Sequence, residues 1–366
     1  MRMSIKPASV ERRLCAGVFL AFLLGLLGLA PLPGGVAMAA DKVQTELAGK
    51  PNNPGAELWR DVRQRDTQIK GVTQVEGMDA GVLININGER WRRFRMEQLI
   101  PAVGVALGGV LGLILLFHLV KRGVPIAAGL SGKYLHRFKE IDRLLHWTVA
   151  LVFIFLALTG LILLTGRVIL IPLLGPELFA TLASASKEGH NLFGPLFLVG
   201  VIGLFIRFVS KNFLRKGDIG WLFKGGGFFA GKHPSAGFFN MGEKIWFWLV
   251  ILVGLVVSAT GLILEFPFFG QDRSLMELAL VLHGVGAALL IAGSFGHIYV
   301  GTAGMPGSLS SMTTGYVDLN WARQHHNLWA EECESRDEVL SKSEFERSRG
   351  ETPLGDRPEP LTRGDG

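Results

Sequence analysis

Apolar and polar positions alternate along this chain in blocks of membrane size, not with the period of a surface helix or a half-buried strand. Six blocks are apolar on every face. A helix that is hydrophobic all round is a membrane span or the centre of a large core. The first block, LCAGVFLAFLLGLLGLA, follows Arg12 and Arg13 and precedes a Pro/Gly break and the small residues Ala37 and Ala39. A basic start, a short apolar centre and an A-x-A spacing predict a secretory signal over residues 1–40, cut near Ala39 or Ala40. The other five blocks, at about 99–120, 144–165, 190–209, 244–264 and 277–300, are each near the roughly 20 residues that a bilayer requires.

The polar stretches between the spans are the remaining units. Residues 41–98 read as an exported segment, with a hairpin near Asn87 and Gly88. The span at 99–120 precedes a group of four spans within residues 134–315. Residues 316–366 form a charged tail, rich in Arg, Glu and Pro, expected to be solvated and without fixed structure beyond Cys333. The predicted fold class is an all-α integral membrane protein: a four-helix bundle, one preceding transmembrane helix and a cleaved signal peptide.

Composition supports the membrane setting. About half the residues are apolar and only 19% are charged, less charge than a soluble domain carries. The basic residues flank spans instead of forming one stripe, so they read as topology and not as a nucleic-acid surface. Lys121, Arg122, Lys133, Arg137, Lys139 and Arg143 lie in one loop, and Lys211, Arg215, Lys216, Lys224 and Lys232 in another. The positive-inside rule places both loops and the C-terminal tail in the cytoplasm, which agrees with an exported N-terminal segment. The expected location is a bacterial inner membrane, crossed several times.

The candidate chemistry lies in four histidines inside these spans. His283 and His297 are fourteen residues apart in one span, about 21 Å along a helix and within about 40° of the same face. Ionisable residues inside a span are costly and mark functional sites. With the expected topology His146 and His297 fall at the inner depth, His190 and His283 at the outer depth. Two imidazoles on facing helices are what an axially ligated haem requires, and Gly189, Gly194, Gly284, Gly286, Gly293 and Gly296 offer room for a porphyrin. Structural zinc needs four ligands on one tetrahedron, which pairs separated by most of a bilayer do not supply. The opposing view is of lone polar residues tying helices together or relaying protons in a transport or structural membrane protein. His118, beside Lys121 and Arg122, reads as an interfacial side chain, and His325 and His326 as solvated residues of the tail.

With Cys15 in the signal, Cys333 is the only mature cysteine, which excludes an intramolecular disulfide, an iron–sulfur cluster and a CxxCH haem attachment. Glycines near Lys224 lack the GK-Ser/Thr of a phosphate-binding loop. No Ser/His or Cys/His arrangement suggests hydrolysis.

Four separated runs, KEIDRLLHWTVALVFIFLALTG, KEGHNLFGPLFLVGVIGLFIRFVSKN, FNMGEKIWFWLVILVGLVVSATGLIL and LHGVGAALLIAGSFGHIY, with the tail ARQHHNLW, resemble in order the core helices of the membrane cytochrome b (gamma) subunit of respiratory formate dehydrogenases. The resemblance covers about residues 134–330. Related b-type subunits of hydrogenases and thiosulfate reductases share the plan. It implies two b haems, the inner held by His146 and His297 and the outer by His190 and His283. It also implies a quinone site at Asn240, Gly242 and His297, although Asn240 fits a plain helix cap equally well. The implied partners are an iron–sulfur subunit and a molybdenum- or tungsten-containing subunit that oxidises formate, with no formate-oxidising site in this chain. Residues 41–120 are an extension that shorter family members lack.

Overall fold

The computed structural model describes residues 86–227, 234–267 and 270–349. The expected signal, the polar segment up to residue 85 and His233 lie outside the described residues. Among the described residues five helices are long and apolar enough to cross a membrane: Gly88–Lys121, Glu140–Ile169, Pro176–Lys211, Met241–Glu265 and Arg273–Gly304. All five predicted spans are therefore present, each longer than the apolar run that revealed it.

The first span is compound. Helix α1 (Ile86–Arg93) passes through a π-helical turn, Phe94–Leu99, into α2 (Ile100–Lys121). A hairpin at Asn87 and Gly88 is thus overturned. Glu89 receives the Arg92 and Arg93 side chains at 2.8 and 3.0 Å, three and four residues on, which is helical spacing. The end of α2 is set by Arg122 and Gly123, both at positive φ. A Cβ on Gly123 would lie 2.8 Å from the Ala303 carbonyl oxygen, so a side chain there would clash as well as strain the backbone.

Helix α3 (Glu140–Ile169) starts where the Asp142 carboxylate accepts from the Lys139 amide at 3.0 Å. After a short α4 (Ile171–Leu174), α5 runs from Pro176 to Phe208. Its stretch ELFATLASASKEG is polar enough to look like a loop yet remains helical, so His190 lies inside the helix and not at its opening. A short α6 (Asp218–Phe223) precedes α7 (Met241–Glu265) and α8 (Arg273–Tyr299). Helix α3 packs along α5 and α7 along α8, α5 joins the two hairpins through α7, and α2 lies outside α8. Val149, Val152, Phe197, Val201 and Ile251 are the buried contacts between α3, α5 and α7. Large apolar residues such as Val105, Leu119, Leu192 and Ile206 point outward, as expected where the solvent is lipid.

The bundle carries a cap at one end. Strands β1 (Tyr134–His136) and β2 (Tyr316–Asp318) pair antiparallel, with Leu135 opposite Val317. This ribbon, a small addition to the helices of the described residues, ties the segment before α3 to the segment after α8. Following the one-turn α9 (Ser310–Thr313), helices α10 (Leu319–His325), α11 (Asn327–Ser335) and α12 (Lys342–Ser348) complete the cap. Its core is Leu135, Val317, Leu319, Trp321, Ala322, Trp329, Ala330 and Cys333. The tail is therefore folded well past Cys333, contrary to the composition-based expectation. Tyr134 stacks on Phe345 at 4.1 Å, and a Ser341–Glu344 capping box starts α12. His325 and His326 are 5% and 1% exposed, so they are core residues and not solvated ones.

Candidate haem and quinone sites

The four histidines come together as two pairs. His146 on α3 faces His297 on α8 with ring centroids 6.1 Å apart, at the end of the bundle next to the cap. His190 on α5 faces His283 on α8 at 6.0 Å, further from the cap. A metal–imidazole bond of about 2.0 Å on each side of one ion puts the ring centroids about 6 Å apart. At these separations either pair would have room to hold one iron between its two rings. Among the described residues no group of three or more His, Cys, Asp or Glu side chains could share an ion, so each site offers two protein ligands. That donor set fits haem, whose porphyrin completes the coordination.

The two pairs are anchored differently. In the distal pair, Nδ1 of His190 lies 2.8 Å from Thr159 Oγ1, and Nδ1 of His283 lies 3.0 Å from the Val257 carbonyl and 3.3 Å from Thr260 Oγ1. In the cap-side pair, Nδ1 of His146 is buried and has no partner among the described residues. His297 stacks on Trp246, with centroids 5.0 Å apart and planes within 14°.

The glycines divide by role. Of the six singled out in the sequence, only Gly194 and Gly296 have nothing within 4 Å of the point where a Cβ would stand. Gly189, Gly284, Gly286 and Gly293 are filled by Phe155, Leu99, Val257 and Trp246, so they serve close helix packing. The glycines against the distal histidines are instead Gly160 and Gly261, whose Cβ would stand 3.3 and 3.2 Å from Cε1 of His190 and His283. Sequence reasoning missed both, together with Thr159, Thr260 and Trp246.

Around Asn240 the geometry is that of a helix start. Its Oδ1 accepts from the Glu243 amide at 3.0 Å, and Glu243 Oε2 accepts from the Asn240 amide at 2.9 Å. Its Nδ2 makes no hydrogen bond among the described residues. Asn240 lines a small recess with Trp221, Gly226, Pro234, Met305 and His325. Gly242 is hemmed in, since a Cβ there would lie 3.2 Å from Trp221 and from Asn240 Oδ1. Glu243 also binds Arg137, a buried guanidinium that follows β1, at 2.9 Å. Arg137 in turn donates to the Phe238 carbonyl at 2.9 Å and is ringed by Phe138, Phe238, Trp321 and Trp329. A buried Asp218–Lys244 pair at 2.6 Å holds α6 to the same end of α7.

His118 contacts Tyr299 at 3.2 Å, joining α2 to α8 without entering either pair. His136 packs on Tyr316 in the ribbon. Cys333 is a buried free thiol, its pKa pushed up to about 12 by burial and by Glu338 beside it.

Residues 137–315 match the family of prokaryotic cytochrome b561 proteins. The chain is 30% identical over 209 residues to the nitrate-inducible formate dehydrogenase cytochrome b556(Fdn) subunit of Escherichia coli, covering 56% of this chain and 94% of that one. The cytochrome b556(fdo) subunit of the same organism is 28% identical, over 54% of this chain and 92% of its own length. The formate dehydrogenase cytochrome b556 subunit of Haemophilus influenzae is 28% identical, over 57% and 85%. Helical spans, paired imidazoles and matched relatives lead to one conclusion: the chain belongs to the prokaryotic cytochrome b561 family and, with these relatives, to the membrane cytochrome b subunits of formate dehydrogenase.

Proposed function

We propose that this chain is a di-haem b subunit that carries electrons across the membrane from an iron–sulfur partner to quinone, within a formate dehydrogenase complex. The observation that carries this reading is the pair of imidazole pairs, at centroid separations of 6.1 and 6.0 Å on facing helices. Iron held between two imidazoles exchanges single electrons without opening a coordination position to substrate. His146 and His297 would hold the inner group, His190 and His283 the outer.

The remaining residues serve position and access. The basic loops support a cytoplasmic cap and a periplasmic N-terminal segment. Electrons would enter from the periplasmic iron–sulfur subunit, fed by a molybdenum- or tungsten-containing subunit that oxidises formate. Quinone would bind near the cap, beside Asn240, Gly242 and His297, and draw its protons from the cytoplasm. Asn240 keeps its Nδ2 as a donor for a quinone oxygen while its Oδ1 caps α7.

The test is purification on a tag carried by this chain from its native membrane. Formate dehydrogenase subunits should co-purify and the complex should reduce quinone with formate. Co-purification of a hydrogenase or thiosulfate reductase in their place, or a preparation lacking b-type absorption, would overturn the reading.

A further inference from the structure

The distal histidines rest on an internal repeat. The sequence TGLIL occurs twice, at residues 159–163 on α3 and 260–264 on α7. Each copy faces a histidine on the next long helix: Thr159 and Gly160 meet His190 on α5, and Thr260 and Gly261 meet His283 on α8. In each copy the glycine lets the imidazole ring approach the neighbouring backbone, and the threonine meets its Nδ1.

The hydrogen bonds fix which ring nitrogen carries the proton. A threonine hydroxyl has one hydrogen. Thr159 Oγ1 donates it to the Phe155 carbonyl at 2.9 Å, and Thr260 Oγ1 to the Val256 carbonyl at 2.7 Å. The oxygen then acts toward the histidine as an acceptor. The Val257 carbonyl, 3.0 Å from His283 Nδ1, can only accept. Both rings therefore carry their proton on Nδ1 and present the Nε2 lone pair to a metal, the arrangement in which an outer hydrogen bond fixes the ring and raises its basicity.

Nothing comparable holds the cap-side pair among the described residues. His146 Nδ1 has no partner there, and His297 is oriented by the face of Trp246 and not through a ring nitrogen. A more basic histidine ligand favours oxidised iron, so a haem held by the anchored pair would have the lower reduction potential.

We infer that Thr159 and Thr260 are positioning residues that make the outer haem the lower-potential one, so that electrons entering there pass downhill to the cap side. The inference rests on the di-haem reading above. It is tested by redox titration of the purified complex, following b-type absorbance, in Thr159→Val, Thr260→Val and the double variant. The lower-potential component should shift upward toward the other, most in the double variant, and Thr159→Ser and Thr260→Ser should keep the parental titration. Loss of the lower-potential component in the valine variants, restored in the serine variants, would support the same role. Two parental potentials in a double valine variant that retains both haems would overturn it, as would serine variants shifted as far as valine ones. A parental complex with a single haem would refute the di-haem reading itself.

Discussion

Trp246 lies flat against His297, the two rings 5.0 Å apart and 14° from parallel, and so fixes the plane of one imidazole without using either nitrogen. Trp246 belongs to the second turn of α7, and the first turn carries Glu243, which ties that helix to Arg137 of the cap. The cap-side histidine pair, the start of α7 and the folded tail are thus one packed unit. A cap of this kind gives its end of the bundle a fixed wall, whereas α2 and the outer faces of the spans meet lipid.

Asn240 caps α7 and is proposed to bind quinone, and two variants separate these roles. Asn240→Ala should cost about 1 kcal/mol of stability through loss of the cap and about 1–3 kcal/mol of quinone binding through loss of the Nδ2 donor. Asn240→Asp keeps a capping oxygen but has no amide donor, so it should retain stability and still raise the quinone KM by roughly 5- to 100-fold. Formate should reduce the haems fully in both. Steady-state quinone reduction with a parental KM in Asn240→Asp would leave Asn240 as a helix cap alone.

The orientation can be read with reporters. A fusion after residue 60 should be active with a periplasm-dependent reporter and one after residue 225 silent, with the reverse for a cytoplasm-dependent reporter. The opposite pattern would invert the sidedness of both histidine pairs and with it the direction of electron flow.

His326 should make the cap sensitive to acid. Burial, with the Arg137 guanidinium nearby, holds its imidazole well below the ordinary histidine range. Glu243 lies 3.8 Å from its Nε2 but is already paired with Arg137, so desolvation prevails and the ring stays neutral, its Nδ1 donating to the Gly237 carbonyl at 2.9 Å. Below about pH 6.5 the unfolded chain binds a proton that the folded cap refuses, and stability falls by up to about 1.4 kcal/mol per pH unit from this group. Thermal unfolding of the complex between about pH 7.5 and 5.5 should show this slope, and His326→Gln should flatten it. An equal slope in the variant would assign the acid sensitivity elsewhere.

The spans and the histidine pairing were legible because an imidazole inside an apolar run has few structural explanations, and depth along a helix follows directly from residue number. The anchoring shell was not. A threonine in a membrane helix commonly bonds its own carbonyls, as Thr159 and Thr260 do, and only the facing helix shows that it also receives a histidine. Glycine content was equally ambiguous: Gly293 admits Trp246, whereas Gly261 admits His283. The cap escaped sequence reasoning because its apolar residues, Trp321, Ala322, Trp329, Ala330 and Cys333, are spread among charged ones, and their burial depends on the ribbon with β1 nearly two hundred residues earlier.

The central claim is that four histidines form two independent haem sites, and haem content per purified chain tests it most directly. The parental subunit should contain two b haems. His190→Ala and His283→Ala should each contain one, with the cap-side component still reducible, and His146→Ala should lose the complementary component. Two haems in both His190→Ala and His283→Ala, or one haem in the parent, would contradict the account.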